Sequence, residues 1–421
     1  MRIIDEIILP EDPEIEKYVV ATYFVRTKER SVIELAYKMA NEQTVGEWIK
    51  LSTAEEDVDL KPFKGKVLSV WECPDIENEN FRESDIKQCI IQLAIPSKNF
   101  GGQIPMLLSS IFGNICHLGS IKLIDIALPR DLVDQLPGPN FGIDGLRELL
   151  GISKRPLLST TLKPPTGYSP KVGAHLLYEA AVGGSDIIKD DEVMGDTVFS
   201  PVIERVKVYA ESLKKAIKET GEEKIYAVNV TDHPERCIRK AEKAVKNGAS
   251  ALMINFLSAG ISLISSLARN KKVNVPILAH LNFGGVYYAS PYHGISSHLV
   301  YGKIARLAGS DMVMLPNPYG KFGVQYEKFA RAVAGLRGSL FNKKRTFPFV
   351  GGSIKANLLP KLFEILGFDF GIGVGGAVFH HPLGVTAGAK AFRQAIDILV
   401  EKGKFDGSEK DFAELKAALE M

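Results

Sequence analysis

The first third of the chain is a series of short runs rich in apolar, β-branched and aromatic residues. "KYVVATYFV" (17–25), "KVLSVWEC" (66–73), "KQCIIQLAI" (87–95) and "SIKLIDIAL" (120–128) read as strands. "SVIELAYKMA" (31–40) and "PMLLSSIFGNICH" (105–117) read as the helices between them. Strands grouped with two helices, without a regular alternation, predict a small α+β, ferredoxin-like domain over residues 1–135.

After the Pro/Gly-rich "LPGPNFG" (136–142) the rhythm becomes an apolar run followed by an amphipathic helix, repeated to the end of the chain. The runs are "RPLLSTTLK", "SDIIKD", "KIYAVNV", "ALMINF", "VPILAHL", "DMVMLPN", "TFPFVGG" and "GIGVGG". After the second run, Ser200 reads as an N-cap and Pro201 as the first helical residue, with Val202, Val206, Tyr209, Leu213 and Ile217 on one face. Eight such units over about 250 residues predict a (β/α)8 barrel spanning 136–421, closed by a short C-terminal helix. A doubly wound open sheet has the same alternation and is the competing fold.

Chemistry in barrels of this kind gathers at the C-terminal ends of the strands. The first strand ends in Lys163, the fifth in His280, and the sixth runs into "PNPYGKFG" with Lys321. The seventh and eighth end in "VGGS" (350–353) and "GVGG" (373–376), so Gly351, Gly352, Ser353, Gly375 and Gly376 offer bare backbone N–H groups to a phosphate. His293, His298, His380 and His381 lie where packing accounts for them.

The second strand ends in "GGSDIIKDDE" (183–192), and alternation turns Lys189 and Asp191 to one side, with Glu192 joining them at the bend. Two carboxylates are an incomplete site for a hard cation such as Mg2+. A lysine beside them repels the cation unless its amine loses a proton and adds carbon dioxide, becoming a carbamate. Burial or a neighbouring cation such as Lys163 would lower its pKa enough.

Composition narrows the field. A chain of 421 residues with 45% hydrophobic and 24% charged residues is an ordinary globular protein too long for one core. A net charge of +2 gives no reason to expect nucleic acid or membrane as a partner, which leaves small molecules. Cys73, Cys89, Cys116 and Cys237 lack the spacing of a zinc site or a disulfide framework. With an N-terminus acidic from Asp5 onward and no long apolar run, a cytoplasmic protein is expected.

These motifs together resemble the RuBisCO large-chain superfamily. "GGSDIIKDDE" is similar to its carbamylated-lysine metal motif, and "TTLKPPTG", "GKFG", "GVGGAVFHHPLG", "NEQTVGEW" and "FGNICH" occur in matching order over nearly the whole chain. The resemblance implies Lys189 as the carbamylated ligand, with Asp191 and Glu192 completing the protein's share of a Mg2+ site. It also implies Lys163 as the proton-handling lysine, His280 facing the substrate's hydroxyls, Lys321 reaching over a closed site, and Gly375 and Gly376 as phosphate glycines. Glu42, Trp48 and Asn114 would enter the active site of a neighbouring subunit, hence a homodimer with shared sites or an assembly of such dimers.

The departures point away from carboxylation. A carboxylase carries a lysine where this chain has Pro165, an arginine at Leu281, a histidine at Met314 and a threonine at Glu47. The lost cations at Leu281 and Met314 would hold the second phosphate of a bisphosphate, so the chain resembles the RuBisCO-like, form IV branch. Its activity is read first as enolate chemistry on a singly phosphorylated keto acid, of the 3-oxo-isoapionate 4-phosphate transcarboxylase and hydrolase kind. Enolisation of 2,3-diketo-5-methylthiopentyl 1-phosphate is the alternative; those enolases place a base lysine where this chain has Asn114 and lack a loop lysine like Lys321. A non-catalytic stress or regulatory protein is the third reading.

Overall fold

The computed structural model describes residues 7–46 and 59–421. The chain divides into two compact units, one of residues 1–136 and 284–300, the other of 137–283 and 301–421. The sequence assigns 284–300 to the barrel; the folded chain lends this segment to the N-terminal unit.

In the N-terminal unit, β1 (Tyr18–Thr27), α1 (Val32–Glu42), β2 (Lys66–Glu72), β3 (Lys87–Pro96), α2 (Ile104–Phe112) and β4 (Ser120–Ala127) follow the order βαββαβ. The sheet order is β4-β1-β3-β2, all antiparallel, which is the ferredoxin-like arrangement. Val19, Ala21, Tyr23 and Val25 of β1 are buried, one face of a period-two strand. The side chain of Ser31 caps α1 by accepting a hydrogen bond from Glu34 N at 3.3 Å. In α2, Ile104, Leu107 and Ile111 form the buried stripe, and the Tyr23 hydroxyl donates to the Ile111 carbonyl. The borrowed segment adds a short strand, Gly294–Ile295, parallel to β4. Its Tyr292 ring stacks 6.2 Å from Phe24, and the Tyr288 carbonyl accepts from Lys122 at 3.0 Å.

The second unit is a closed parallel barrel. Its strands, in chain order and counting the borrowed one as β10, are β5 (Leu157–Thr161), β6 (Ile187–Lys189), β7 (Ile225–Asn229), β8 (Ala251–Ile254), β9 (Ile277–Ala279), β11 (Met312–Pro316), β12 (Phe347–Gly351) and β13 (Gly371–Val374). Closure, with β13 pairing to β5 in register Gly371↔Leu157, decides against the open sheet. Leu157, Ile187, Ile225, Met253, Leu278, Met312 and Phe347 fill the interior.

The inward face of β13 and its extension is all glycine, and neighbours occupy the space. A Cβ at Gly371 would lie 2.0 Å from the Phe349 ring, one at Gly373 3.0 Å from Met314 Cε, and one at Gly375 3.0 Å from Lys163 Cε. "GIGVGG" is therefore spaced to admit bulky groups from three other strands.

The helix after β6 runs Val202–Thr220, and Pro201 rather than Ser200 stands at its cap position. Its first free N–H, that of Val202, is satisfied by Asp196 Oδ1 at 2.9 Å, while the Ser200 carbonyl and hydroxyl face Arg205. Val202, Val206, Tyr209 and Leu213 are buried as the periodicity predicts.

Candidate active site

At the open end of the barrel, β5 and β6 bring two lysines to two carboxylates. Lys163, just past β5, donates to Asp191 Oδ2 at 2.6 Å. Lys189 ends β6, is 1% exposed, and its Nζ lies 3.9 Å from Glu192 Oε2 while donating to the Asp190 carbonyl at 3.1 Å. His280, just past β9, approaches the same Glu192 oxygen at 3.5 Å through Nε2. Asn282 N donates to His280 Nδ1 at 3.3 Å, so the ring hydrogen sits on Nε2 and points at the carboxylate.

Burial pushes the Lys189 amine below its ordinary range; Glu192 and Asp191 oppose the shift and Lys163 adds to it. Burial likewise pushes His280 well below 6.5, with Lys189 reinforcing it, so the imidazole is neutral near pH 7. Among the described residues no three His, Cys, Asp or Glu side chains converge as a ready-made metal cage. The residues nonetheless fit a hard cation plus carbamate. Two carboxylates face two amines, one of them buried and easily deprotonated, and the Lys163 ammonium already neutralises Asp191 as a metal would.

The backbone of this loop is clamped from β7 and β8. Asn229 Nδ2 donates to the Glu192 carbonyl at 3.1 Å and Asn255 Nδ2 to the same oxygen at 2.7 Å, while the Thr231 hydroxyl bonds Asn229 Oδ1 at 2.6 Å. Sequence reasoning passed over these residues, although their position at strand ends three and four was the available signal. It also passed over Ser159, whose buried hydroxyl has no hydrogen-bond partner among the described residues and which shares the inward face of β5 with Leu157.

The glycine loops fall into two groups. Gly375 lies under the Lys163 stem, and a Cβ at Gly376 would lie 3.7 Å from the His380 ring, an ordinary contact. Gly352 (φ +99°) and Ser353 (φ +54°) adopt left-handed conformations, a strained one for serine. A Cβ at Gly352 would meet the Phe322 ring at 2.8 Å, and Asn317 Nδ2 donates to the Gly352 carbonyl at 3.3 Å, so the loop carrying Lys321 rests on the seventh-strand loop. Lys321 itself is exposed, stacked 5.1 Å over Phe322 and outside the lysine–carboxylate cluster. Across the barrel mouth, Met314 is 3% exposed and Leu281 packs on the barrel core. A Cβ at Gly351 would lie 2.6 Å from Met314 Sδ, so the thioether fills the place of any side chain there.

Glu42 and Asn114 are exposed on the N-terminal unit and joined by Asn114 Nδ2 donating to Glu42 Oε1 at 2.8 Å. Gly113 makes the turn that lifts Asn114 off α2, since a Cβ there would lie 2.1 Å from the Ser109 carbonyl oxygen. Trp48 and Glu47 lie outside the described residues. His381 is buried and bonded to the Glu414 carbonyl at 3.0 Å, a structural role.

Comparison with known proteins now decides the family. Residues 142–421 match the catalytic domain of the ribulose bisphosphate carboxylase large chain, and residues 11–132 match its N-terminal domain. The chain belongs to the RuBisCO large-chain family. This RuBisCO-like chain is 39% identical to a ribulose bisphosphate carboxylase-like protein of Archaeoglobus fulgidus, over 98% of its own length and 95% of the relative's. It is 34% identical to a 2,3-diketo-5-methylthiopentyl-1-phosphate enolase of Bacillus cereus, over 91% and 92% of the two chains. A rubisco-like protein from Alicyclobacillus acidocaldarius superposes with a TM-score of 0.88 at 32% identity, covering 96% of this chain and 99% of that one. Octameric RuBisCO from Pyrococcus horikoshii superposes with a TM-score of 0.90 at 29% identity, covering 100% and 96%. Among the described residues no helix of this RuBisCO-like chain is long and apolar enough to cross a membrane.

Proposed function

We propose that this protein enolises a singly phosphorylated dicarbonyl with an uncharged tail, a compound of the 2,3-diketo-5-methylthiopentyl 1-phosphate kind. The observation that carries the reading is Met314. Its thioether fills the space over Gly351 and Gly373 and, with Leu281, makes part of the barrel mouth apolar where a second phosphate would need buried cations. Relatives that share a third of their residues with this chain bear that enolase name. This reading therefore takes the place of transcarboxylation of a phosphorylated keto acid as the first choice.

Lys189, once carbamylated, would hold Mg2+ together with Asp191 and Glu192, and the bound ion would polarise the substrate's carbonyl oxygens. Enolisation breaks a C–H bond beside one carbonyl and forms an O–H bond on its oxygen; no atom leaves. Lys163, partly exposed and bonded to Asp191, would take the carbon-bound proton as the free amine, once it has given up Asp191 to a cation and lost its own proton to solvent. Neutral His280 can donate its Nε2–H to a substrate oxygen in place of Glu192. The backbone N–H groups of Gly351, Gly352, Ser353, Gly375 and Gly376 would hold the phosphate. The exposed Glu42–Asn114 pair would serve the barrel of a second copy in a homodimer. Four free cysteines accord with a reducing cytoplasm.

The deciding experiment supplies purified protein with Mg2+ and bicarbonate. Loss of the carbon-bound proton of the diketone phosphate in D2O, followed by NMR, is expected. Turnover of 3-oxo-isoapionate 4-phosphate with no exchange of the diketone would return the transcarboxylase reading to first place. Metal binding without turnover of either compound would favour a non-catalytic protein.

A further inference from the structure

Three carboxylates follow Lys189, and only two of them face the cluster. Asp190 turns the other way, between β6 and the helix Val202–Thr220, and is completely buried. It accepts four hydrogen bonds: from Arg205 Nε at 3.2 Å and Nη2 at 3.0 Å, from the Tyr226 hydroxyl at 2.8 Å and from Asn229 N at 2.9 Å. Arg205 has no exposed side-chain surface, and its remaining nitrogen donates to the Ser200 carbonyl at 2.8 Å and to the Gly195 carbonyl at 3.3 Å. Every nitrogen of the guanidinium and both carboxylate oxygens thus have a hydrogen-bond partner, which is the condition for keeping a buried ion pair. The pair is also electroneutral, so it adds no net charge to the cluster beside it.

Such an arrangement answers a problem set by the sequence Lys-Asp-Asp-Glu. β6 is three residues long, and a slip of one residue would exchange the side chains on its two faces. Either aspartate supplies a carboxylate, so composition does not choose between the two phases. We propose that Asp190, Arg205 and Tyr226 form a phase lock. They are positioning residues that hold the β6 end so that Lys189 and Asp191, and never Asp190, face the metal and carbamate. The lock holds Asp190 outward while the side chains of Asn229 and Asn255 grip the Glu192 carbonyl. The inference rests on the proposed metal site at Lys189, Asp191 and Glu192, and its test keeps the two apart.

The probe is Mn2+ titrated in bicarbonate and followed by electron paramagnetic resonance, with 13C-bicarbonate reporting the carbamate signal by NMR. Wild type is expected to bind Mn2+ and show the carbamate, and Lys189→Ala to lose both. Asp190→Asn is expected to weaken Mn2+ binding at least ~10-fold, the range for losing a group that orients a ligand. The double variant Asp190→Asn/Arg205→Met removes the stranded charge, so its thermal stability recovers while the loss of metal affinity persists. Tyr226→Phe keeps the ion pair and weakens binding by a smaller factor, which decides the matter if Asp190→Asn fails to fold. Wild-type Mn2+ affinity in both the double variant and Tyr226→Phe would overturn the lock and leave the metal reading standing. A wild type that binds no Mn2+ would overturn both.

Discussion

The two ends of the barrel treat buried charge in opposite ways. At the closed end Asp186, 1% exposed, accepts from Arg155 at 2.7 and 2.5 Å and from Leu158 N at 2.8 Å. Asp311 accepts three backbone N–H groups, from Phe141, Gly142 and Ile277, at 2.6, 2.9 and 2.9 Å. Arg306 has no carboxylate partner among the described residues but donates to the carbonyls of Gly335, Gly338, Lys343 and Lys344, the first two at a helix C-terminus that favours a cation. At the open end Lys189 has one hydrogen bond, at 3.1 Å, and a carboxylate 3.9 Å away, and among the described residues Asn255 Oδ1 and Ser159 Oγ are buried without hydrogen-bond partners. The buried charges of the closed end use their bonding capacity on the fold; the Lys189 amine at the open end holds some in reserve. β6 joins the two, with Asp186 just before it and Lys189 at its end.

The comparison breaks most visibly at Asp186. Asp186→Ala strands Arg155 and frees the Leu158 N–H, an expected stability loss of about 3–5 kcal/mol. Denaturant unfolding should register it, while metal affinity per folded molecule stays within about 3-fold of wild type, since the open end is untouched. A parallel collapse of metal affinity would show that the two ends are not independent.

Lys189→Ala is the converse experiment. It should lower enolisation by at least ~100-fold, about 2.7 kcal/mol in the barrier, with little loss of stability or a small gain because a poorly paired buried amine is removed. Turnover within 10-fold of wild type would mean that the buried amine is structural and the chemistry lies elsewhere.

The same contrast explains which features were legible in the chain. Strands and helices announce themselves through local periodicity, and residues at strand ends such as Lys163 and His280 stand out because polar groups interrupt apolar runs. Alternation alone turns Lys189 and Asp191 one way, and the Lys163–Asp191 and Lys189–Glu192 ion pairs lie there. What stayed hidden depends on residues far apart in sequence. Asp190 looks like any other member of a charge run until Arg205 and Tyr226 are folded against it. The glycines of "GIGVGG" read as a strand running into a phosphate loop, and nothing local shows that their inward positions make room for Phe349, Met314 and Lys163. The segment 284–300 carries no mark of leaving the barrel, because its partner strand β4 lies more than a hundred residues away.

The smallest expected effect is a pH slope. Folding holds His280 neutral, with its pKa well below 6.5, while the unfolded chain returns it to the ordinary value. Between those limits the unfolded state binds a proton that the folded state refuses, so stability is fully present above about pH 6.5 and falls as the pH drops below it. One such group contributes at most about 1.4 kcal/mol per pH unit. Lys189, Lys163, Asp191 and Glu192 are common to wild type and His280→Gln, so subtraction isolates the histidine. His280→Gln should therefore flatten the dependence of Tm on pH between about 5 and 6.5 relative to wild type, and leave the closed-end ion pairs unaffected. Identical slopes for the two proteins would mean that the ring is protonated in the folded state, paired as a cation with Glu192, and that the open end keeps less in reserve than its geometry implies.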